Sequence, residues 1–197
     1  MDTTTNDESR DPDAAGRRQF LSFTLAGSEC AVPILKVREI LQLDAITRIP
    51  STPPSIRGVI DLRGSIVPVV DLARKFGLGE TAVTKAACIL IVDVALDGIP
   101  TTMGVLADTV REVIDPSPDG ISSPPAFGPG IRVDYITGMA KTGNGLVLLL
   151  DLDRVISVED ARAAADAIAA ASDVAPGVAG AGEPLASRHE GAAVRSE

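Results

Sequence analysis

The stretch RGVIDLRGSIVPVVDL, Arg57 to Leu72, sets charges at Arg57, Asp61, Arg63 and Asp71 into an apolar background. Two carboxylates this near in sequence could share general acid–base work, and arginines beside them could grip carboxylates or carbonyls. Asp71, however, is better placed to cap a short helix, Leu72 to Phe76, that ends at Gly77. Asp61 reads as a strand residue beside Arg57 or Arg63. The sole histidine, His189, stands in a Gly- and Ala-rich tail, a poor place for a preorganised site, so no Ser–His or Cys–His pair is expected. Cys30 and Cys88 are isolated and read as free, buried small hydrophobes. No D-x-D-x-D-G loop is present, and Gly143-Asn144-Gly145 lacks the spacing of a phosphate loop. The chain is therefore expected to be no enzyme and to need no cofactor and no metal. Recognition is what remains.

Composition narrows the partners. The chain has 197 residues, a formal net charge of -9, 45% apolar residues, 3% aromatic residues and no Trp. That acidity argues against nucleic acid, which needs clustered Lys and Arg, and against an anionic membrane surface. No apolar run approaches the roughly 18 residues of a membrane span, and no signal pattern opens the chain, so a soluble cytoplasmic protein is expected. With few aromatics, the core must come from Val, Ile, Leu and Ala, which favours strands.

The elements follow from periodicity. Residues 1–17 are acidic and aperiodic and read as a disordered tail. QFLSFTLAG alternates with Leu21, Phe23 and Leu25 on the apolar side, a half-buried strand that turns at Gly27-Ser28 into a second one from Cys30 to Ile34. ILKVREIL, Ile34 to Leu41, has apolar residues at helical spacing and is read as a short surface helix. ITRIP fits a short strand stopped by prolines. Pro68 excludes a central ladder position unless an edge or a bulge accommodates it. Ala87 to Val94 and Thr101 to Ala107 pair across Asp97-Gly98, and Val110 to Ile114 alternates again. A Pro- and Gly-rich loop covers Pro116 to Gly130. Tyr135 to Lys141 and Leu146 to Leu150 form a last hairpin. Ser157 and Asp160 make a capping box for an Ala-rich helix to about Ala171, and residues 173–197 read as a second disordered tail. No convincing short-period repeat is seen. Many short strands with few helices give an all-β fold of small barrels, and the helical junction at Leu72 to Thr84 favours two of them over one.

The run IRGVIDLRGSIVPVVDL resembles the signature of the CheW family, the coupling proteins of bacterial chemotaxis, close to I-R/K-G-V-x-N-L-R-G-x-I-V/I-P-V/I-V/I-D-L. Ile56, Gly58, Val59, Leu62, Arg63, Gly64, Ile66, Pro68, Asp71 and Leu72 match it. FLSFTLAG, ILKVREIL, TRIPSTP and DYITGMA follow the same family order, and the likeness covers roughly Gln19 to Ala161. It implies two five-stranded SH3-like β-barrel subdomains packed around a shared core over residues 18–161; the C-terminal helix extension at 162–172 lies beyond it and is longer than a minimal member of the family needs. It also implies a non-catalytic scaffold, monomeric outside an array, that joins the cytoplasmic tips of chemoreceptors (methyl-accepting chemotaxis proteins) to a CheA-type histidine kinase. A scaffold of a non-chemotactic chemosensory pathway, or a regulatory fragment of a larger kinase or response-regulator fusion, would share these features.

Carried residue by residue, the resemblance places Val37, Glu39, Arg63, Gly64 and Cys88 at the receptor-binding side, and Ile46, Arg57 and Gly58 at the kinase-binding side. Each has a plainer reading. Arg63 could be a solvated arginine at a hairpin tip, Gly64 a turn glycine, and Val37 and Cys88 core residues. Asp61 departs from the family pattern, which usually has Asn there.

Overall fold

A computed structural model describes residues 19–124, 132–143 and 145–173. The two tails read as disordered, Asn144 of the last hairpin, and most of the second half of the Pro/Gly-rich loop lie outside the described residues.

Among the described residues, eleven strands form two curled sheets. β1 (Phe20–Leu25), β2 (Ser28–Pro33), β8 (Thr109–Ile114), β9 (Ile121–Ser122), β10 (Ile136–Thr142) and β11 (Gly145–Leu150) make one, in the order β8-β1-β2-β11-β10-β9. The second is β3-β6-β7-β5-β4, from β3 (Val37–Gln42), β4 (Ile56–Leu62), β5 (Ser65–Val70), β6 (Cys88–Leu96) and β7 (Ile99–Ala107). The fold is all-β, with two barrel-like subdomains, as the strand pattern implied. Leu21, Phe23 and Leu25 are buried, as their alternation requires. They join Val70, Leu72, Leu90, Val92, Met103, Leu150 and Ile156 in one core fed by both sheets. A smaller core of Val69, Ile89, Ile91 and Leu106 lies within the second sheet alone.

The division into barrels does not fall at Leu72 to Thr84. That junction holds α1 (Leu72–Lys75) and lies inside the second sheet, between β5 and β6. The first sheet instead combines strands from near both ends of the chain, and β2 and β11 join in parallel at Cys30 with Leu148 and Ala31 with Leu149. In the other barrel β5 and β7 join in the same parallel way, Val69 with Gly104 and Val70 with Val105.

These matching joints expose a duplication that short-period inspection does not find. β4, β5, Asp71 and α1 correspond to β10, β11, Asp151 and α2 (Leu152–Val155). Ile56 and Ile136, Gly58 and Gly138, Val70 and Leu150, and Asp71 and Asp151 occupy equivalent places, and each hairpin carries its register shift beside the matching glycine. VREIL at Val37 likewise corresponds to VREVI at Val110, each in a bulged edge strand. The halves are interlocked: each barrel combines the first hairpin of one half, β1-β2 or β6-β7, with the later long strands of the other.

ILKVREIL is not a helix. A 3-10 turn, Ile34–Lys36, follows Pro33, and Val37–Gln42 is the edge strand β3, paired with β6. Val37, Glu39 and Leu41 are half-buried while Arg38, Ile40 and Gln42 are exposed, and the register shift between Val37 and Glu39 turns Val37 to the main core and Leu41 to the smaller one. Because Glu39 points in and Ile40 out, the residue types hide the twofold period that the backbone follows. ITRIP contributes only a bridge, Thr47 with Val59. Pro68 is accommodated: Val59 turns its N–H and C=O to Thr47, so the facing Val59–Pro68 pair has no ladder bond to lose, and β7 joins β5 only from Val69.

Asp71 caps α1 by accepting from the Ala73 and Arg74 amides at 3.1 and 3.3 Å. The Ser157–Asp160 box opens α3 (Val158–Asp173), with Ser157 N donating to Asp160 at 3.0 Å and Asp160 N to Ser157 Oγ at 3.2 Å. α3 then crosses to the second sheet, where Ile168 rests on Ile49 and Val59 and Lys75 pairs with Asp160.

Candidate functional site

Leu62 faces Ser65 across a two-residue turn in which Arg63 has φ 53° and Gly64 φ 87°, the mirror-image turn that suits twisted strands. Ala26-Gly27 and Asp97-Gly98 make the same turn, so the positive φ of Arg63 is hairpin geometry and no special strain. Gly64 is there because its φ requires glycine, and no atom crowds it. The Gly64 amide donates to Asp61 Oδ1 at 2.6 Å, so Asp61 braces the turn from within the strand.

The turn lifts Arg63 into solvent with its side chain 79% exposed, and its Nη2 reaches Glu39 Oε2 on β3 at 2.8 Å. Beside them Arg38 pairs with Asp93 at 3.2 Å and donates to Thr102 Oγ1, whose hydroxyl donates to Asp93. Between these pairs opens a groove of about 410 Å³ with Leu62 and Val67 on its wall. An ion pair this exposed is worth about 0–1 kcal/mol, because water and salt screen it. Arg63 can therefore exchange Glu39 for an acceptor on a partner at small cost. The groove offers donors, acceptors and an apolar wall, which is equipment for recognition.

Glu39, Arg63 and Gly64 thus come together. Val37 and Cys88 do not join them. Val37 faces the main core and lies on a strand rather than a helix. Cys88 is 6% exposed in the same core, so it presents no surface. Burial, with smaller effects from the Val110 backbone and Asp108, leaves its thiol above the ordinary value. Burial pushes the Cys30 thiol up to about 12. Both cysteines are free, and both packing environments favour neutral, unreactive thiols. Arg38, Thr102 and Asp93 were not picked out from sequence. Plain strand alternation would have set Arg38 and Glu39 on opposite faces; the bulge between Val37 and Glu39 lets both line the groove.

Ile46, Arg57 and Gly58 are also assembled, at the far end of β4, about 20 Å from the hairpin tip at 3.3 Å per strand residue. Gly58 is architectural: a Cβ there would stand 2.2 Å from the Thr47 carbonyl oxygen and 2.7 Å from Ile46 Cγ2, at φ 147°. Ile46 leans into the second core and is no exposed anchor. Arg57 is 11% exposed and pairs with fully buried Asp71 and with Glu80.

Among the described residues no group of three His, Cys, Asp or Glu is placed to hold a metal, and no helix is long and apolar enough to cross a membrane. Two interlocked barrels with an open charged groove define a recognition module.

Residues 19–160 match the CheW-like domain model, and the chain belongs to that family. It is 32% identical to the chemotaxis protein CheW of Klebsiella aerogenes over 143 residues, covering 73% of this chain and 84% of that one. The likeness to protein FrzA of Myxococcus xanthus is 28%, covering 77% and 93%. The scaffolding protein TtCheW from Thermoanaerobacter tengcongensis superposes with TM-score 0.65 at 33% identity, covering 73% of this chain and 90% of that structure. The family is one of non-catalytic scaffolds in chemotaxis, and this chain has its fold.

Proposed function

We propose that the protein is a cytoplasmic coupling scaffold that holds the tip of a chemoreceptor and a CheA-type histidine kinase in one signalling assembly. The observation that carries this reading is Arg63, fixed in place by its turn and only loosely held by Glu39 above an open groove. A receptor tip is a helical hairpin with carboxylates and carbonyls on its surface, and a planar guanidinium suits both. Arg38, Glu39, Arg63 and Gly64 form the receptor side of the proposal. Ile46, Arg57 and Gly58, at the other end of β4, form the kinase side, with Gly58 acting through the close packing of Ile46 and Thr47. This separation lets two partners be held at once.

Co-sedimentation of receptor, kinase and this protein is expected to give a ternary complex with stimulated kinase autophosphorylation. A kinase that behaves alike with and without the protein would overturn the reading. FrzA, a relative not named as a chemotaxis protein, favours one second reading: the same scaffold serving a non-chemotactic chemosensory pathway. The receptor recovered with the protein from its native cells separates the two.

A further inference from the structure

The end of β4 away from the Arg63 groove borders a separate polar recess of about 160 Å³, lined by Arg48, Arg57, Arg74, Thr52 and the Pro53-Pro54 corner. Converging arginines are unexpected on a chain of net charge -9. Their mutual repulsion needs an anion, and the fold supplies one. The Glu80 carboxylate bridges Arg57 and Arg74, while Asp71 holds Arg57 from the buried side at 3.4 Å.

Donor capacity is left over. Arg57 gives only Nη1 to these carboxylates. The side chain lines the recess, and because no buried side-chain nitrogen lacks a partner among the described residues, its Nε and Nη2 keep access to solvent. Arg48 is exposed and its side chain has no partner among the described residues. Glu80, by contrast, can leave. Its side chain is 39% exposed, and the backbone beside it is anchored independently by Thr81, whose amide and hydroxyl donate to Asp71 at 3.0 and 2.9 Å.

We propose that this recess binds a carboxylate from an acidic segment of a protein partner, with Glu80 the resident carboxylate that the incoming one displaces. The bridging geometry already present is that of a carboxylate across two guanidinium groups. Exchanging one partly exposed ion pair for another costs little. The recess shares Arg57 with the kinase side proposed above and so deepens that reading, while the titration reads the recess itself and can fail with the coupling reading intact.

The test is titration of the full chain, followed through arginine Nε–H NMR signals. The probes are a blocked peptide carrying paired glutamates, its glutamine counterpart, and acetate. The glutamate peptide is expected to shift the Arg48, Arg57 and Arg74 signals. Glu80→Gln should tighten binding severalfold, and Arg48→Ala should weaken it severalfold with the fold unchanged. The site is overturned if Glu80→Gln binds no acidic peptide, if Arg48→Ala binds as the parent does, or if the glutamine peptide shifts the same signals. Acetate binding as tightly as the peptide would reduce the recess to a small-anion site and overturn partner docking.

Discussion

Arg63 and Asp61 do different work although only Leu62 separates them. Arg63 projects a charge that nothing holds firmly, so Arg63→Glu should leave the unfolding midpoint nearly unchanged while setting a like charge against Glu39. Receptor binding should weaken by about 1–3 kcal/mol, a span usual for interface residues of this kind, as a pull-down or calorimetric titration would measure. Unchanged affinity would return Arg63 to the status of a solvated hairpin residue. Asp61 acts inward, on the Gly64 amide. An Asn carbonyl could accept that same bond, so Asp61→Asn should shift stability by less than about 0.5 kcal/mol. Asp61→Ala leaves the amide without its acceptor and should cost about 0.5–1.5 kcal/mol in denaturant unfolding. The departure from the family pattern at Asp61 thus keeps the brace and adds a charge near Arg63.

At the scale of elements, α3 is the piece whose attachment is easiest to disturb. Its buried face is small, with Ala164 enclosed and Ile168 on Ile49 and Val59, so polar contacts at its start matter. Burial alone would raise the Asp160 carboxyl, but the Lys75 ammonium and the Ser157 donors outweigh it and hold it below the ordinary carboxylate range. A carboxyl depressed by folding stabilises the folded state above its unfolded value near 4, and that stability is lost as pH falls through the lower folded value. Acidification from about pH 4 downward should therefore loosen α3 from α1, seen as falling helical signal and faster amide exchange from Val158 onward. Lys75→Ala should loosen the same contact at neutral pH, costing about 1.5–3 kcal/mol as expected for a charged hydrogen bond. A helix that stays protected in both experiments would assign its docking to the apolar contacts instead.

The interlock of the two halves belongs to the whole molecule. The main core draws on both sheets, and neither barrel can close without strands from the other half of the chain. Residues 19–161 should consequently unfold in one cooperative step, with calorimetric and van't Hoff enthalpies in agreement. A fragment of residues 19–86 retains β1 to β5 but lacks both β6–β7, which β3 and β5 need, and β8 with β10–β11, which β1 and β2 need. It should show no cooperative transition by circular dichroism. Separate melting of two barrels, or a folded fragment, would mean that the interlock contributes little.

Local chemistry in the sequence settled much of this protein. The twofold alternation of Leu21, Phe23 and Leu25, the Asp97-Gly98 turn, the cap at Asp71 and the Ser157–Asp160 box each depend on neighbours a few residues away, and each was legible. The signature run also pointed to Arg63 as a surface charge. What depends on distant segments was not legible. β3 was misread because its period is set by pairing with β6 and by the groove into which Glu39 turns. Cys88 and Val37 stand outside the surface group because Cys88 is buried and half-buried Val37 turns to the main core. The arginine recess joins residues from three separate stretches of chain. Only the tertiary structure decides such matters, because register across parallel joints and burial between sheets follow from contacts that no local window contains.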